Sequence, residues 1–191
     1  MKLPGFQRST HHTTALFRHW VVDLLHVQPS DHVLELGSGR GLVLHDVAAR
    51  LTGGRIVGVD AASSMLDIAH HHNARAIAAG KVRLVQSLGD ALPFPATTFD
   101  RALSVNLIHF LPDPPALLRE VQRVLRPGGQ LAIFWMPAET LARQGRAVAG
   151  VYRAYEPVEM IDLLLAAGFR SPWIRTNFFP WGAGLCAQAV R

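Results

Sequence analysis

Residues 33–42 read Val-Leu-Glu-Leu-Gly-Ser-Gly-Arg-Gly-Leu, and the rest of the chain is organised around them. Apolar residues with strand character come first and enclose the acidic residue Glu35. Three glycines then alternate at Gly37, Gly39 and Gly41 before a helical pattern begins. Glycine adopts backbone angles closed to residues with a Cβ and lets a ligand lie directly against the main chain. The stretch therefore predicts a strand, a tight ligand-binding turn and the start of a helix.

The spacing of the glycines separates this turn from a dinucleotide-binding fingerprint. That fingerprint would place its third glycine at position 42, which is Leu42 here, whereas this chain has Gly41. The pattern Glu-x-Gly-x-Gly-x-Gly after an apolar strand resembles motif I of the class I S-adenosylmethionine-dependent methyltransferases. The resemblance implies S-adenosylmethionine as cofactor and S-adenosylhomocysteine as product.

Strand and helix patterns alternate along the chain, which predicts parallel pairing through right-handed crossovers. A turn-rich stretch, 180–184, joins the last two strands as an antiparallel hairpin. We therefore expect an α/β fold: a doubly wound, Rossmann-like, seven-stranded sheet, mostly parallel with an antiparallel C-terminal hairpin. The predicted strands are 32–36, 55–59, 82–86, 99–105, 130–135, 173–178 and 185–190. The predicted helices are 14–27, 42–51, 63–80, 113–125 and 157–167, with Ser63 or Ser64 as the cap of the third.

A chain of 191 residues predicts a single domain. We divide it into an N-terminal helical segment (1–30), a cofactor-binding core (31–135), and a C-terminal part (136–191). That last part holds a substrate cover, the final helix and the hairpin. The lone cysteine, Cys186, fits a reducing compartment, and no apolar run is long enough to span a membrane. The start of the chain lacks a secretory signal, so a cytoplasmic protein is expected.

The formal charge of +5 raises nucleic acid as a partner. The densest basic group, Arg119, Arg123 and Arg126, has helical spacing, and we interpret it as a solvated helix face. Nucleic acid is therefore not the expected partner. Histidines cluster at 11–12 and 70–72 without the companions of a zinc site, so no metal site is predicted. We interpret the second cluster as the exposed end of a helix.

Further segments extend the resemblance over most of the chain. They look like successive signatures of the ubiquinone and menaquinone methyltransferase subgroup. The matching segments are Leu92-Pro93-Phe94-Pro95, Phe99-Asp100, Leu111-Pro112-Asp113, Arg119-Glu120, residues 123–129 and Gly168-Phe169. By this resemblance Glu35 orients the methionine amino group and Met65 packs near adenine, although Met65 also reads as a core residue. The turn residues Gly37, Ser38, Gly39 and Gly41 would accommodate the cofactor.

Asp60 ends the second strand, and the residue after it is Ala61. A carboxylate at this place can accept both hydroxyls of a ribose bound across the neighbouring strand ends. Rossmann dehydrogenases use the same device, so Asp60 indicates an adenosine-bearing ligand rather than one particular cofactor. Its alternative role is to cap the following turn.

The adenine end departs from the subgroup's pattern. Where those enzymes have Gly-Asp, with the aspartate accepting from the adenine amino group, this chain has Ser87 and Leu88. Leu88 cannot accept a hydrogen bond. Either the loop is shifted so that Asp90 reaches adenine, or Ser87 and backbone groups take over the contact.

The stretch Asp113-Pro114-Pro115 is similar to a motif of nucleic-acid amino-methyltransferases, in which an aromatic residue follows and stacks on a flipped base. Here Ala116 replaces the aromatic residue and the prolines begin a helix. We therefore interpret Asp113 as a helix cap.

The residues placed directly after the fourth strand include Asn106, a candidate cofactor contact, and His109. Methyl transfer from a sulfonium is an in-line displacement, so a base is needed only if the acceptor must lose a proton. His109 is the candidate base because an imidazole titrates near neutrality; its alternative is a packing or helix-capping role.

The expected function is methyl transfer to a small-molecule acceptor, by a protein that can also form a homodimer. Four aromatic residues could line an acceptor pocket, although such residues are more often core. They are Phe17, Trp20, Tyr152 and Tyr155. The alternatives are an RNA or protein methyltransferase, and a noncatalytic nucleotide-binding module or a dehydrogenase with an altered glycine turn.

Overall fold

The computed structural model describes residues 10–88, 91–145 and 153–191, with the backbone alone for residues 10–14. Within these ranges seven strands form one sheet. They are β1 (His32–Leu36), β2 (Arg55–Asp60), β3 (Val82–Gln86), β4 (Phe99–Val105), β5 (Leu125–Trp135), β6 (Arg170–Phe179) and β7 (Gly182–Val190). The helices are α1 (Thr10–Leu24), α2 (Leu42–Ala48), α3 (Ser63–Ala78), α4 (Pro114–Val124), α5 (Ala138–Arg143) and α6 (Pro157–Ala166).

The strand order across the sheet is β3-β2-β1-β4-β5-β7-β6. Pairs among the first five strands are parallel, and β7 pairs antiparallel with both β5 and β6. The predicted mostly parallel sheet with an antiparallel C-terminal hairpin is therefore confirmed. The chain order runs outward from β1 on one side and from β4 on the other. The gap between these strands at their carboxyl ends is the switch point at which α/β sheets bind ligands.

Apolar residues cover both faces of the sheet because consecutive strand residues point to opposite sides. Val33 packs with α1 and α2 on one face, whereas its neighbour Leu34 packs with α4 and α6 on the other. The interior is thus two layers of side chains separated by the sheet. No helix among the described residues has the length and apolar character needed to cross a membrane.

Aromatic rings join α1 to the C-terminal half of the sheet. The rings of Phe17 and Phe134 stack with centroids 4.9 Å apart, and Trp20 meets Phe134 edge-on at 6.2 Å. Phe179 and Trp181 extend the same cluster, stacking at 4.8 Å. Phe17 and Trp20 therefore pack between α1 and the sheet, as core aromatics do.

Several element boundaries differ from the sequence predictions. Helix α1 begins at residue 10 and ends three residues early, before His26, which adopts a left-handed φ of 49°. Strand β5 begins at Leu125 instead of residue 130. Between Phe99 and Arg101 the β4–β5 register shifts, so the predicted turn at 127–129 is present as an irregularity inside the strand.

The predicted serine cap of α3 is wrong. The N-cap is Ala62, with no side-chain cap, and Ser63 is already helical. The Ala62 N–H is accepted by a carboxylate oxygen of Asp60 at 2.9 Å. The Asp60 carboxylate, and not a serine hydroxyl, therefore accepts the hydrogen bond at the start of α3.

The prediction of a solvated basic face holds in part. Arg119 is exposed. Arg123 is only partly solvated: it donates to the carbonyls of Leu92 and Phe94 at 3.1 and 2.9 Å and pairs with Glu120 at 2.7 Å. Arg126 lies beyond α4 and pairs with Asp100.

The histidines at 70–72 are exposed, as predicted, but they lie in the middle of α3 instead of at its end. Within the described part of the chain, no cluster of His, Cys, Asp and Glu could hold a metal ion.

Candidate functional site

The glycine turn is fastened to the end of β2. Ser38 donates its N–H to the Val59 carbonyl at 3.0 Å, and Gly39 donates to a carboxylate oxygen of Asp60 at 2.8 Å. Gly37, Gly39 and Gly41 have φ values of +66°, +49° and +75°, in the left-handed region that favours glycine. Two backbone N–H groups of the turn are thus bonded to acceptors at the end of β2, and these bonds hold the turn in place.

The three glycines differ in what surrounds them. A Cβ on Gly39 would meet nothing closer than the Gly37 carbonyl oxygen at 4.0 Å, so open space lies beside it. A Cβ on Gly41 would lie 2.6 Å from Asn73 Nδ2 and 2.8 Å from the Ala69 Cβ, both on α3. Gly39 therefore leaves room for a ligand against the backbone, while Gly41 allows α2 and α3 to approach each other.

Glu35 is buried, with 2% of its surface exposed, and lies on the face covered by α1 and α2. Its Oε2 has no hydrogen-bond partner among the described residues. Burial, then the nearby carboxylates of Asp46 and Asp60, raise the Glu35 pKa well above its ordinary value, against the lowering effect of Arg18. Arg18 itself pairs with Asp46 at 2.9 Å. A buried carboxyl with one oxygen unpartnered is suited to receive a cationic donor from a ligand.

A cleft of about 380 Å³, part of it open to solvent, lies beside the turn on the face of the sheet opposite Glu35. Five predicted site residues line this cleft: Gly37, Asp60, Ala61, Ser87 and Leu88. The remaining lining is apolar and consists of Leu36, Val59, Leu107, Leu111 and Leu117. This wall suits a flat, largely apolar group such as a nucleobase.

The sequence reasoning missed the three leucines that follow β4. Leu107 and Leu111 flank a short 3-10 turn (Ile108–Phe110), and Leu117 lies on α4. Leucines at helical spacing read as core whether they face a neighbouring element or a cleft. The sequence therefore does not distinguish a leucine that lines a cleft from a leucine in the core.

Ser87 and Leu88 follow β3 at the rim of the cleft. Ser87 Oγ donates to the Ala91 carbonyl at 3.3 Å, and the Leu88 side chain is 77% exposed. Asp90, the alternative adenine contact, lies outside the described residues, as does Tyr152. Met65, in the first turn of α3, is half-buried and is not among the residues that line the cleft.

Ser38 and Asn106 lie just beyond the ends of the neighbouring strands β1 and β4. Leu36 of β1 pairs in register with Ser104 of β4. Ser38 comes two residues after Leu36, and Asn106 comes two residues after Ser104. Asn106 has a φ of 58° and donates its N–H to the Phe134 carbonyl at 2.9 Å. Asn106 Oδ1 and Ser38 Oγ are both buried without a hydrogen-bond partner among the described residues. Two buried polar atoms near the switch point therefore lack a hydrogen-bond partner within the described part of the chain.

His109 is buried beside this site. Its Nδ1 lies 2.8 Å from the Arg153 carbonyl oxygen, and its Nε2 accepts the Met136 N–H at 3.4 Å. Burial lowers the His109 pKa below its ordinary value, against the opposing effect of the Arg153 hydrogen bond. Its role as a base stays a prediction.

Asp113 accepts the Ala116 N–H at 3.1 Å and precedes two prolines in the first turn of α4. The prediction that this stretch is a helix start is confirmed.

Comparisons with known proteins match the part of the chain that contains the glycine turn. Residues 34–133, slightly more than half of the chain, match a family described as "Methyltransferase domain". The chain is 31% identical over 172 residues to an uncharacterized methyltransferase, YdaC, of Bacillus subtilis, and the match covers 90% of each protein. It is 36% identical over 110 residues to a demethylmenaquinone methyltransferase of Symbiobacterium thermophilum. That match covers 55% of this chain and 42% of the longer relative.

Among solved structures, a SAM-dependent methyltransferase from Aquifex aeolicus superposes with a TM-score of 0.74 at 21% identity. The match covers 91% of this chain and 88% of that one. At this identity the likeness shows the fold.

Proposed function

The chain belongs to the S-adenosylmethionine-dependent methyltransferases, and we propose that it transfers a methyl group from S-adenosylmethionine to a small-molecule acceptor. The observation that carries the cofactor assignment is the buried Glu35 carboxyl, with its Oε2 unpartnered among the described residues, in the strand that leads into the open turn at Gly39. The cofactor presents an ammonium group at one end, a ribose diol in the middle and an adenine at the other end. These three groups match Glu35, Asp60 and the apolar cleft.

The charge at the turn argues against a dinucleotide. In a dinucleotide site the glycine turn receives an anionic pyrophosphate. Here the carboxylates of Asp46 and Asp60 both act to raise the pKa of Glu35, and Arg18 already pairs with Asp46. A pyrophosphate would meet acidic groups, whereas a cationic amino group would relieve their repulsion.

Asp60 can bind a ribose while it holds the turn. Each of its oxygens accepts one main-chain N–H, from Gly39 and Ala62. A carboxylate oxygen has two lone pairs, so each oxygen can accept a further hydrogen bond from a hydroxyl. The ribose would therefore bind to a carboxylate that is already oriented.

When bound, S-adenosylmethionine supplies a methyl group on a sulfonium that leaves as a neutral thioether. The chain's part is then to position the reactants and keep water out. Asn106 and Ser38 offer buried polar atoms at the switch point, where they can orient the methionine end or the acceptor. The leucine wall shields the nucleoside.

A small-molecule acceptor is supported by two observations. A relative matched at 36% identity carries the name demethylmenaquinone methyltransferase, although this chain spans less than half of it. In the basic group once considered for nucleic acid, Arg123 and Arg126 are already paired with protein groups.

Incubation of the protein with methyl-labelled S-adenosylmethionine and fractionated metabolite extracts, with total RNA and protein in parallel, tests this proposal. Label should enter a small molecule and should not do so with the Gly39→Val variant, whose side chain fills the space beside the turn. Label in RNA or protein alone would overturn the acceptor class. Binding of S-adenosylmethionine without any transfer would favour the noncatalytic module.

A further inference from the structure

We propose that His109 is a positioning residue: a neutral imidazole that holds the cleft wall against the main chain of Arg153 and Met136. It is then not the base that removes a proton from the acceptor. The inference rests on the proposed function, because the wall belongs to the cleft assigned to the cofactor.

The partners of the ring define its tautomer. The Arg153 carbonyl can only accept a hydrogen bond, so Nδ1, 2.8 Å away, must carry the proton. The Met136 N–H can only donate, so Nε2 must carry the lone pair. Together the two contacts select the neutral ring with its proton on Nδ1.

Three separate segments meet at His109. Its own carbonyl accepts the Arg153 N–H at 3.0 Å, so the two residues exchange a pair of hydrogen bonds. Met136 follows directly after β5. The Trp135 indole N–H donates to the Tyr155 carbonyl at 2.9 Å, which adds a second anchor for the same segment. The ring thus fixes the segment before α6 to the ends of β4 and β5.

The position of His109 links this junction to the cleft. His109 lies within the 3-10 turn whose flanking residues, Leu107 and Leu111, line the cleft. Leu107 also packs 2.9 Å from the place that a Cβ on Gly37 would occupy. A shift of this turn would therefore move two wall residues and disturb the contact between the wall and the glycine turn.

The same geometry leaves the ring poorly placed for general base catalysis. In the selected tautomer Nε2 is the basic atom, and it is directed at the Met136 amide. Only 2% of the residue is exposed. A base must come within hydrogen-bond reach of the proton that it removes. Proton uptake by Nε2 would also oppose two donors, the imidazolium and the Met136 N–H.

The test uses calorimetric titration with S-adenosylhomocysteine on the wild type and three variants. His109→Asn keeps an N–H near the position of Nδ1, and His109→Ala removes both contacts. His70→Ala, on the exposed face of α3, is the matched control. Long-range proton–nitrogen NMR of the wild type reads the tautomer directly, and hydrogen exchange reads the Arg153 amide.

We expect His109→Ala to raise the Kd for S-adenosylhomocysteine about tenfold and to speed exchange at Arg153. His109→Asn should stay within about threefold of the wild type, and His70→Ala should not change. The NMR spectrum should show the Nδ1-protonated ring at neutral pH. If His109→Ala does not fold, the tautomer seen by NMR and the Kd of His109→Asn still test the inference.

A ring protonated on Nε2, or charged at neutral pH, would overturn the inference. So would wild-type affinity in His109→Ala, or equal losses in His109→Asn and His109→Ala. Failure of the wild type to bind S-adenosylhomocysteine would instead overturn the proposed function. The two failures are therefore distinguishable.

Discussion

Asp60 accepts the N–H of Gly39 at 2.8 Å, so the carboxylate at the end of β2 fixes the open glycine of the turn after β1. The other carboxylate oxygen accepts the Ala62 N–H at 2.9 Å and holds the start of α3. One side chain thus aligns the two neighbouring loops that follow β1 and β2. The protein's own hydrogen bonds therefore shape the turn.

Asp60→Asn should weaken both the fold and the cofactor site. An amide offers one oxygen where the carboxylate offers two, so one of the two N–H donors loses its acceptor. We expect the free energy of unfolding to fall by about 1–3 kcal/mol and the Kd for S-adenosylhomocysteine to rise about 100-fold. Chemical denaturation and calorimetry measure these changes. Asp67→Asn, exposed on α3, is the control, and wild-type affinity in Asp60→Asn would refute the ribose assignment.

Glu35→Gln should stabilise the free protein at neutral pH. Burial and the carboxylates of Asp46 and Asp60 raise the pKa of Glu35 in the folded state. Its stabilising contribution is therefore complete below the ordinary value of 4.5 and is lost as the pH rises toward the folded-state pKa. Thermal denaturation between pH 4 and about 8 should show a Tm difference that grows with pH. A constant difference would contradict this account.

Binding of S-adenosylhomocysteine should release protons through the same residue. A cationic amino group beside Glu35 favours the carboxylate and lowers its pKa, so protons leave on binding near neutral pH. Calorimetry in buffers of different ionisation enthalpy measures the number released. The release should disappear in Glu35→Gln and persist in Glu139→Gln, whose side chain is exposed on α5. Identical heats in all buffers would show that Glu35 does not receive the amino group.

His109 should make the protein less stable in mild acid. Burial lowers its folded-state pKa below 6.5, so stability is complete above that value and falls as the pH drops toward the folded-state pKa. The Tm of the wild type should fall relative to that of His109→Asn between pH 7 and about 5. Parallel Tm curves would indicate that the ring does not titrate against the fold.

Leu88→Asp should add discrimination at the adenine end. Leu88 lines the cleft with an exposed side chain, where a carboxylate would be free to accept from the adenine amino group. Compared with Leu88→Ala, the variant should prefer S-adenosylhomocysteine about tenfold more strongly over its hypoxanthine analogue. Competition binding measures the ratio. An unchanged ratio would mean that the base does not lie beside Leu88.

The sequence predicted the sheet well because its signals are local. Strands β1, β3 and β4 have their predicted bounds, since each apolar run is limited by polar, glycine or proline residues. Glu35 and Asp60 could be proposed as site residues because the carboxyl ends of neighbouring parallel strands meet at one edge. Helix ends were predicted less well. Tertiary contacts, such as the hydrogen bond of Asp60 to Ala62, decide them.

The rest of the site depends on contacts that leave no sequence pattern. The ring of His109 bonds to main-chain atoms 27 and 44 residues away, and main-chain atoms are present at every position. Arg123 was interpreted as solvated because its carbonyl partners, Leu92 and Phe94, belong to a distant loop. The leucines of the cleft read as core because the sequence does not show that their neighbours in space form a cleft.

Calorimetric titration of the wild-type protein with S-adenosylhomocysteine and, separately, with NAD distinguishes a methyltransferase from a dinucleotide-binding protein. Gly39→Val serves as the control, because its side chain occupies the space beside the turn. We predict binding of S-adenosylhomocysteine with release of protons, loss of that binding in Gly39→Val, and no binding of NAD. Tight binding of NAD without binding of S-adenosylhomocysteine would contradict the account.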